Sequence, residues 1–509
     1  MKVNNLFLAG VAALSLGVTA CNNEDVPSMD KPTEGTTFAG MYISAMKDNT
    51  TRAVNDSQED YAGREEESKL ETLDLLATGT LKSWTFAASE GENNFWETGA
   101  NSGTFKVSPW QTTAGSQSMA LLFNKGNIVS NIATASTFVY GSTASAMDDI
   151  AALSTESKFV MTSKVEQKDI TDGIDETTVK NGTSENENVF AFDMERVVSQ
   201  GLVAKAAALT AETADGKGKI DIDNITYAAV NGAAKTYLFR NKAGERTITV
   251  ADGLYKDFES AIDGYTEFKN AKDPTGPVKD VLIRLGNLAP KSEGKTNDDL
   301  GNYKAISVAA STDDAKGGRG IYFLENSVEK SAFTPQNKDY GFYRLAYAKV
   351  YATYTPKEVL HWEDGKLVSK EGVQGETFFR GEVDGLIYAS KEAAKESQLA
   401  PNQKAYTYTN GKCAYRALWN RQASDNTGKT VVNADARRNN TYMLTVKAFQ
   451  GLGMPWDSSD PNDPNLPKPT DPTEPENPDN PDIEKEETYM RVEAKVLQWN
   501  LVSREVVLD

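Results

Sequence analysis

The chain is a succession of short segments in which apolar and polar residues alternate, separated by polar and glycine-bearing breaks. A period of two marks a strand with one buried face. The first such segment is 36–46 (TTFAGMYISAM), where Phe38, Tyr42 and Met46 are spaced for one side of a strand. Residues 47–69 follow with no apolar period, which predicts an exposed loop; Arg52-Ala53 lies inside it, within reach of a protease. Alternation returns at 70–76 and 81–87, and 118–123 (SMALLF) reads as a short buried strand. Residues 143–163, richer in Ala, Met and Leu, predict a helix. Residues 188–206 predict a strand with a bulge near Gly201, and 222–230 and 235–239 a hairpin turning at Asn231-Gly232. A first domain then ends near residue 245. In the second half, 340–354 is the clearest strand, stopped by Pro356. Residues 376–380 pair with 385–389, and 412–419 and 440–450 complete the sheets. Residues 255–340 show little period and read as loops or a surface arm.

The two ends differ from this body. Residues 1–21 carry Lys2, then an apolar run from Leu6 to Val18, shorter than the roughly 20 residues a membrane span needs. The run closes on Val18-Thr19-Ala20-Cys21, small residues before a cysteine, similar to the bacterial lipobox; Cys21 is the expected lipidation site, followed by a polar tether. An ordinary secretory signal is the plainer alternative. At the other end, nine of the 18 prolines fall between Pro455 and Pro481, and 455–487 holds 11 acidic and 2 basic residues. Such a segment buries no core and favours extended polyproline II, at about 3.1 Å per residue a reach of roughly 80 Å. Beyond it, 488–509 (TYMRVEAKVLQWNLVSREVVLD) is again amphipathic. Met490, Val492, Ala494 and Val496 share one face; then Leu497, Trp499 and Leu501 take over. That change of phase predicts a bulge or a break into two strands. An amphipathic strand on a long flexible arm needs shelter, either on another molecule or back on its own.

Composition narrows the function. The net charge of −19 denies the basic face that nucleic acid requires. One histidine and two cysteines in 509 residues exclude a His- or Cys-rich zinc cluster and a disulfide scaffold. Without Cys21, Cys413 is alone and reads as a small core residue. No GxSxG motif accompanies His361, so a hydrolase triad finds no support. Gly428-Lys429-Thr430 lacks the first P-loop glycine, Ala423 standing there. Asp221 to Asn224 and Asp457 to Asp463 offer oxygen ligands without an EF-hand layout. The expectation is no enzyme, no cofactor and no metal.

The order of these features resembles one family. The lipobox end, Arg52-Ala53 after the first strand, 222–240, 341–357, 374–389, Arg438-Asn439-Asn440-Thr441-Tyr442 and the closing linker and strand are similar to the shaft fimbrillins of Bacteroidia type V pili. They are most like those of short (minor) fimbriae. The resemblance implies an all-β fold of two transthyretin-like β-sandwich domains with long loops and an extended C-terminal donor strand. Its division is 1–21 signal peptide, 22–52 tether and removable first strand, 53–245 and 246–454 domains, 455–487 linker and 488–509 donor. It implies an outer-membrane lipoprotein precursor that becomes part of an extracellular fimbrium. An arginine-specific protease would cut at Arg52-Ala53, and the strand carrying Phe38, Tyr42 and Met46 would leave. The strand of a neighbouring copy carrying Met490, Val492, Ala494, Val496, Leu497, Trp499 and Leu501 would take its place. The implied partners are further copies, anchor and tip subunits, the protease, the outer membrane through lipid, and unidentified adhesion receptors. Loss of an edge strand bares unpaired backbone groups, and each large apolar side chain that refills the trough contributes about 1.5–3 kcal/mol. The competing reading is a monomeric surface lipoprotein binding glycan or host protein through an aromatic platform, for which Trp84, Trp96 and Trp110 are candidates, or they are core.

Overall fold

The computed structural model describes residues 37–45, 60–61, 67–98, 103–125, 129, 131–135, 138–140, 152–155, 157–230, 236–239, 283–284, 286–287, 320–325, 346–420, 422–423, 431–433, 436–455 and 490–499. These residues are mostly strands, and the fold is all-β. In the first body, Thr37–Ala45 lies between Val189–Arg196 and Thr104–Val107. The ladder continues through Asn94–Glu97, Thr80–Phe86, Thr72–Ala77 and Gly115–Phe123. It then closes on itself, because Leu122 and Phe123 pair with Thr162 and Met161 of Met161–Ser163, which also pairs with Val189–Arg196. Leu73, Leu75, Phe95, Leu121, Phe123 and Phe192 fill the interior. Met161–Ser163 ends the stretch expected to be helical. Thr162 pairs on both edges there, and that closure outweighs the local helix preference.

Val197, fully buried, carries the chain into a second body. One of its sheets contains Val198–Lys205, Ile321–Leu324, Asn440–Phe449 and Met490–Trp499. The facing sheet contains Thr226–Val230, Tyr347–Pro356 and Lys412–Leu418. Tyr227, Val350, Tyr415, Trp419, Tyr442 and Leu444 are buried between them. By pairing, Val198–Lys205 and Thr226–Val230 go with strands of the second half, while Thr236–Tyr237 returns to Val139–Tyr140 of the first. Only Val197 separates Val189–Arg196 from Val198–Lys205, so the strand partners mark the passage from one sheet to the other. Gly201 carries no bulge in its pairing with 441–443 or with 321. It is glycine because the Trp419 ring lies over it, 2.6 Å from where a Cβ would sit. The hairpin expected around Asn231-Gly232 is not formed by its flanks. Thr226–Val230 pairs with Tyr347–Pro356, and Thr236–Tyr237 pairs with Val139–Tyr140.

A five-stranded satellite rises from the second body: Val359–Glu363, Lys366–Lys370, Phe378–Gly381, Ile387–Tyr388 and Ala405–Tyr408, with the helix Lys391–Lys395 capped by Ser390. Here the expected pairing is present, Phe379 facing Tyr388 and Arg380 facing Ile387.

Two buried arginines occupy the junction of the bodies. Arg438 donates to Glu325 Oε1 (2.9 Å), Thr236 Oγ1 (2.9 Å) and Leu238 O (3.0 Å). Arg196 donates to Glu67 O (3.1 Å), Ser68 Oγ (3.1 Å) and Asn439 Oδ1 (3.3 Å). Charges this deep persist only where such bonds replace water.

Candidate assembly site

Thr37–Ala45 occupies a fitted seat. It runs parallel to Val189–Arg196, Gly40 opposite Val189 and Ala45 opposite Met194. On its other edge Thr37–Ala39 pairs with Trp110–Thr112 and Tyr42–Ser44 with Thr104–Lys106. The strand is therefore interior, not an edge, and its departure would bare two rows of backbone groups. Ala39, Met41 and Ile43 are fully buried in the core. Phe38 and Tyr42 do share a side, as their spacing predicts, and it is the half-buried one. The Lys106 ammonium lies over the Tyr42 ring at 5.1 Å. Gly40 passes beneath the helix Glu176–Asn181, where an added Cβ would stand 2.7 Å from Val179 Cγ1. Asp175 caps that helix, its carboxyl held below the usual range chiefly by the Thr178 amide.

The start of the strand is held by Asn188, a buried residue in the left-handed region (φ 54°). Its Nδ2 donates to Thr171 O (2.8 Å), Phe38 O (3.0 Å) and Thr37 Oγ1 (3.2 Å), and its Oδ1 accepts from Thr171 N (2.8 Å). Sequence reasoning missed Asn188 and the helix over Gly40. The helix had a signal, an Asp cap with Glu directly after it; Asn188 had none.

The last strand, Met490–Trp499, lies on its own chain. It pairs antiparallel with Asn440–Phe449, from Met490 opposite Phe449 to Gln498 opposite Asn440. Met490 is buried and Val492 half-buried against the second core, so the face read from the sequence is the inward one at these positions. Ala494 stands opposite Leu444, Val496 opposite Tyr442, Leu497 opposite Thr441, and Trp499 opposite Tyr61. The strand does not break at Val496-Leu497. The register shift lies in the partner, between Val446 and Ala448. Lys447, passed over there, forms an ion pair with Glu493 at 2.9 Å.

Cys21, Met46, Arg52, Ala53 and Leu501 lie outside the described residues. Cys413 is buried in Lys412–Leu418, and burial pushes its thiol up to about 12, as for an inert core residue. Trp84 and Trp110 are core, edge-to-face at 5.5 Å, and Trp84 donates to Ser108; they form no exposed platform, and Trp96 is half-buried. His361 sits in the satellite hairpin opposite Val368. Among the described residues no group of three His, Cys, Asp or Glu is arranged to hold a metal, and no helix is long and apolar enough to cross a membrane.

These features define an all-β protein whose first and last described strands each complete a different sheet. In comparison with known proteins, residues 406–505 match the family described as major fimbrial subunit protein type IV, fimbrillin, C-terminal. Over 537 aligned residues the chain is 26% identical to the minor fimbrium subunit Mfa1 of Porphyromonas gingivalis, covering 98% of this chain and 99% of that one. Among solved structures, a fimbrilin (FimA) from Porphyromonas gingivalis W83 is 13% identical with a TM-score of 0.43, covering 92% of this chain and 99% of that one. The tip fimbrial protein Mfa3 of the same species is 11% identical with a TM-score of 0.28, covering 91% and 100%.

Proposed function

We propose that this chain is a structural shaft subunit of a fimbria on the cell surface, polymerising by protease-triggered exchange of strands and so serving adhesion and biofilm formation. End-to-end similarity to minor fimbrium subunits supports the fimbrial role. The observation that carries the exchange mechanism is the difference between the two strand seats. Thr37–Ala45 is hydrogen-bonded along both edges. Among the described residues, Met490–Trp499 has one long partner, Asn440–Phe449, and on the other edge Asp60–Tyr61 alone. In this reading the export leader ends at Cys21, whose lipid holds the precursor at the outer membrane. An arginine-specific protease cuts at Arg52-Ala53, and the first strand leaves. A tail strand that then abandons its own sheet for the vacant seat of a neighbour exchanges one long ladder for two. It also restores burial where Ala39, Met41 and Ile43 stood, at about 1.5–3 kcal/mol for each large side chain. A seat near one end and a donor at the other make a heterologous contact, which propagates as an open filament. Anchor and tip subunits would begin and end it. While the first strand is in place the seat is filled, so the uncut chain stores both strands at home.

The test is cleavage of the chain lacking residues 1–21 with an arginine-specific protease. SDS-resistant ladders are expected, and they should vanish when 488–509 are deleted. A cut chain that stays monomeric would leave the monomeric surface lipoprotein as the better account.

A further inference from the structure

We propose that Asp60–Tyr61 is a clasp that retains the tail strand in its parent sheet. Asp60 pairs in parallel with Gln498 and Tyr61 with Trp499, on the edge of the tail strand away from Asn440–Phe449. Gln498 is thus gripped from two sides, by Asn440 and by Asp60. At the other end, Met490 faces Phe449 alone among the described pairings. The grip falls at the Trp499 end of the described strand.

Two residues of pairing hold weakly by themselves, but the clasp is mounted on a fixed point. Glu67, six positions past Tyr61, is fully buried. Gln200 Nε2 (3.0 Å) and the Tyr322 hydroxyl donate to its carboxylate, and Arg196 Nε donates to its carbonyl (3.1 Å). With Glu67 immobile, an opened clasp searches a small volume and closes again at little entropic cost. The clasp follows Arg52-Ala53 in sequence, so a cut there leaves it on the mature chain. What it regulates rests on the strand-exchange reading; that it holds the tail does not.

Hydrogen exchange on the uncut full chain tests it, comparing wild type with Tyr61→Pro, which removes an amide and a strand conformation, and with the milder Tyr61→Gly. Peptides spanning 490–499 should exchange about tenfold faster in Tyr61→Pro, the loss of roughly one net hydrogen bond. A smaller rise is expected in Tyr61→Gly. Peptides at 37–45 and 72–77 should be unchanged, which reports an intact fold. Unchanged exchange at 490–499 in both variants overturns the clasp, whether or not cut chains form ladders. Faster exchange with no ladders from cut wild type supports the clasp and removes the strand-exchange reading. Faster exchange with earlier ladders from the cut variants supports both.

Discussion

Gly40 shows how closely the first strand is fitted. Its neighbours Ala39 and Met41 point into the core, and Gly40 itself faces the helix Glu176–Asn181, with no room for a side chain under Val179. Gly40→Ala should therefore destabilise the chain by about 1–3 kcal/mol through overpacking. Val179→Ala, which empties the same space, should recover part of that loss in the double variant. Urea unfolding of the four proteins checks this; equal losses in the presence and absence of Val179 would refute the contact. No residue near 40 in the sequence announces the helix, because the clash is between residues 139 positions apart. Asn188 is similar. Its type suits a left-handed turn, but its grip on Thr37 and Phe38 exists only after the chain has folded.

Among the elements, the satellite was read from the sequence only in the pair of 376–380 with 385–389; its other three strands were not. Its strands are local, joined by tight turns, and its pairing partners lie within about 30 positions in sequence. Its loops are tied together by Asp384, whose carboxylate accepts from the Tyr388 hydroxyl, Ser397 Oγ and Gln403 Nε2, each at 2.6 Å. Burial pushes this carboxyl up. Bonds from Ser397, Tyr388, the Leu386 amide and Gln403 outweigh it and hold the group below the ordinary carboxylate range. A depressed folded value means that stability is fully present above the unfolded value of about 3.9 and is lost as pH falls through the folded one. The satellite should therefore stay closed from neutrality to about pH 4 and loosen below it. Hydrogen exchange at 378–408 as a function of pH would follow this. Asp384→Asn should flatten that dependence; an unaltered profile would assign it to other carboxyls. The tail strand was readable as a strand and by its apolar face. Its continuity past Val496 was not: the ladder to Asn440–Phe449 runs unbroken through Val496 and Leu497, and its one register shift lies opposite Arg491-Val492.

Across the whole molecule, the two bodies meet over Arg196 and Arg438, whose bonds reach residues 67, 68, 236, 238, 325 and 439. Arg438→Ala strips Glu325 of its buried partner and should cost roughly 3–5 kcal/mol, felt in both bodies. Arg438→Met together with Glu325→Leu should cost less, because Glu325 is then not left as a buried charge without its arginine; Glu195, 3.8 Å from Arg438 Nε, loses its ion pair in both variants. Unfolding followed by tryptophan fluorescence and by circular dichroism would detect the difference. A loss confined to one body would show that the junction does not couple them. The sequence by itself determined that the chain is built of strands, that its two ends differ from its body, and that an amphipathic strand closes it. Those properties follow from residue type and a period of two, which are local. The tertiary structure decided that the first strand is interior, that Val198–Lys205 and Thr226–Val230 pair with strands of the second half, and that the tail lies on Asn440–Phe449 with Asp60–Tyr61 across it. Strand pairing uses backbone groups that every residue carries, so no side-chain pattern names the partner; burial of both faces and the satisfaction of distant polar groups select it.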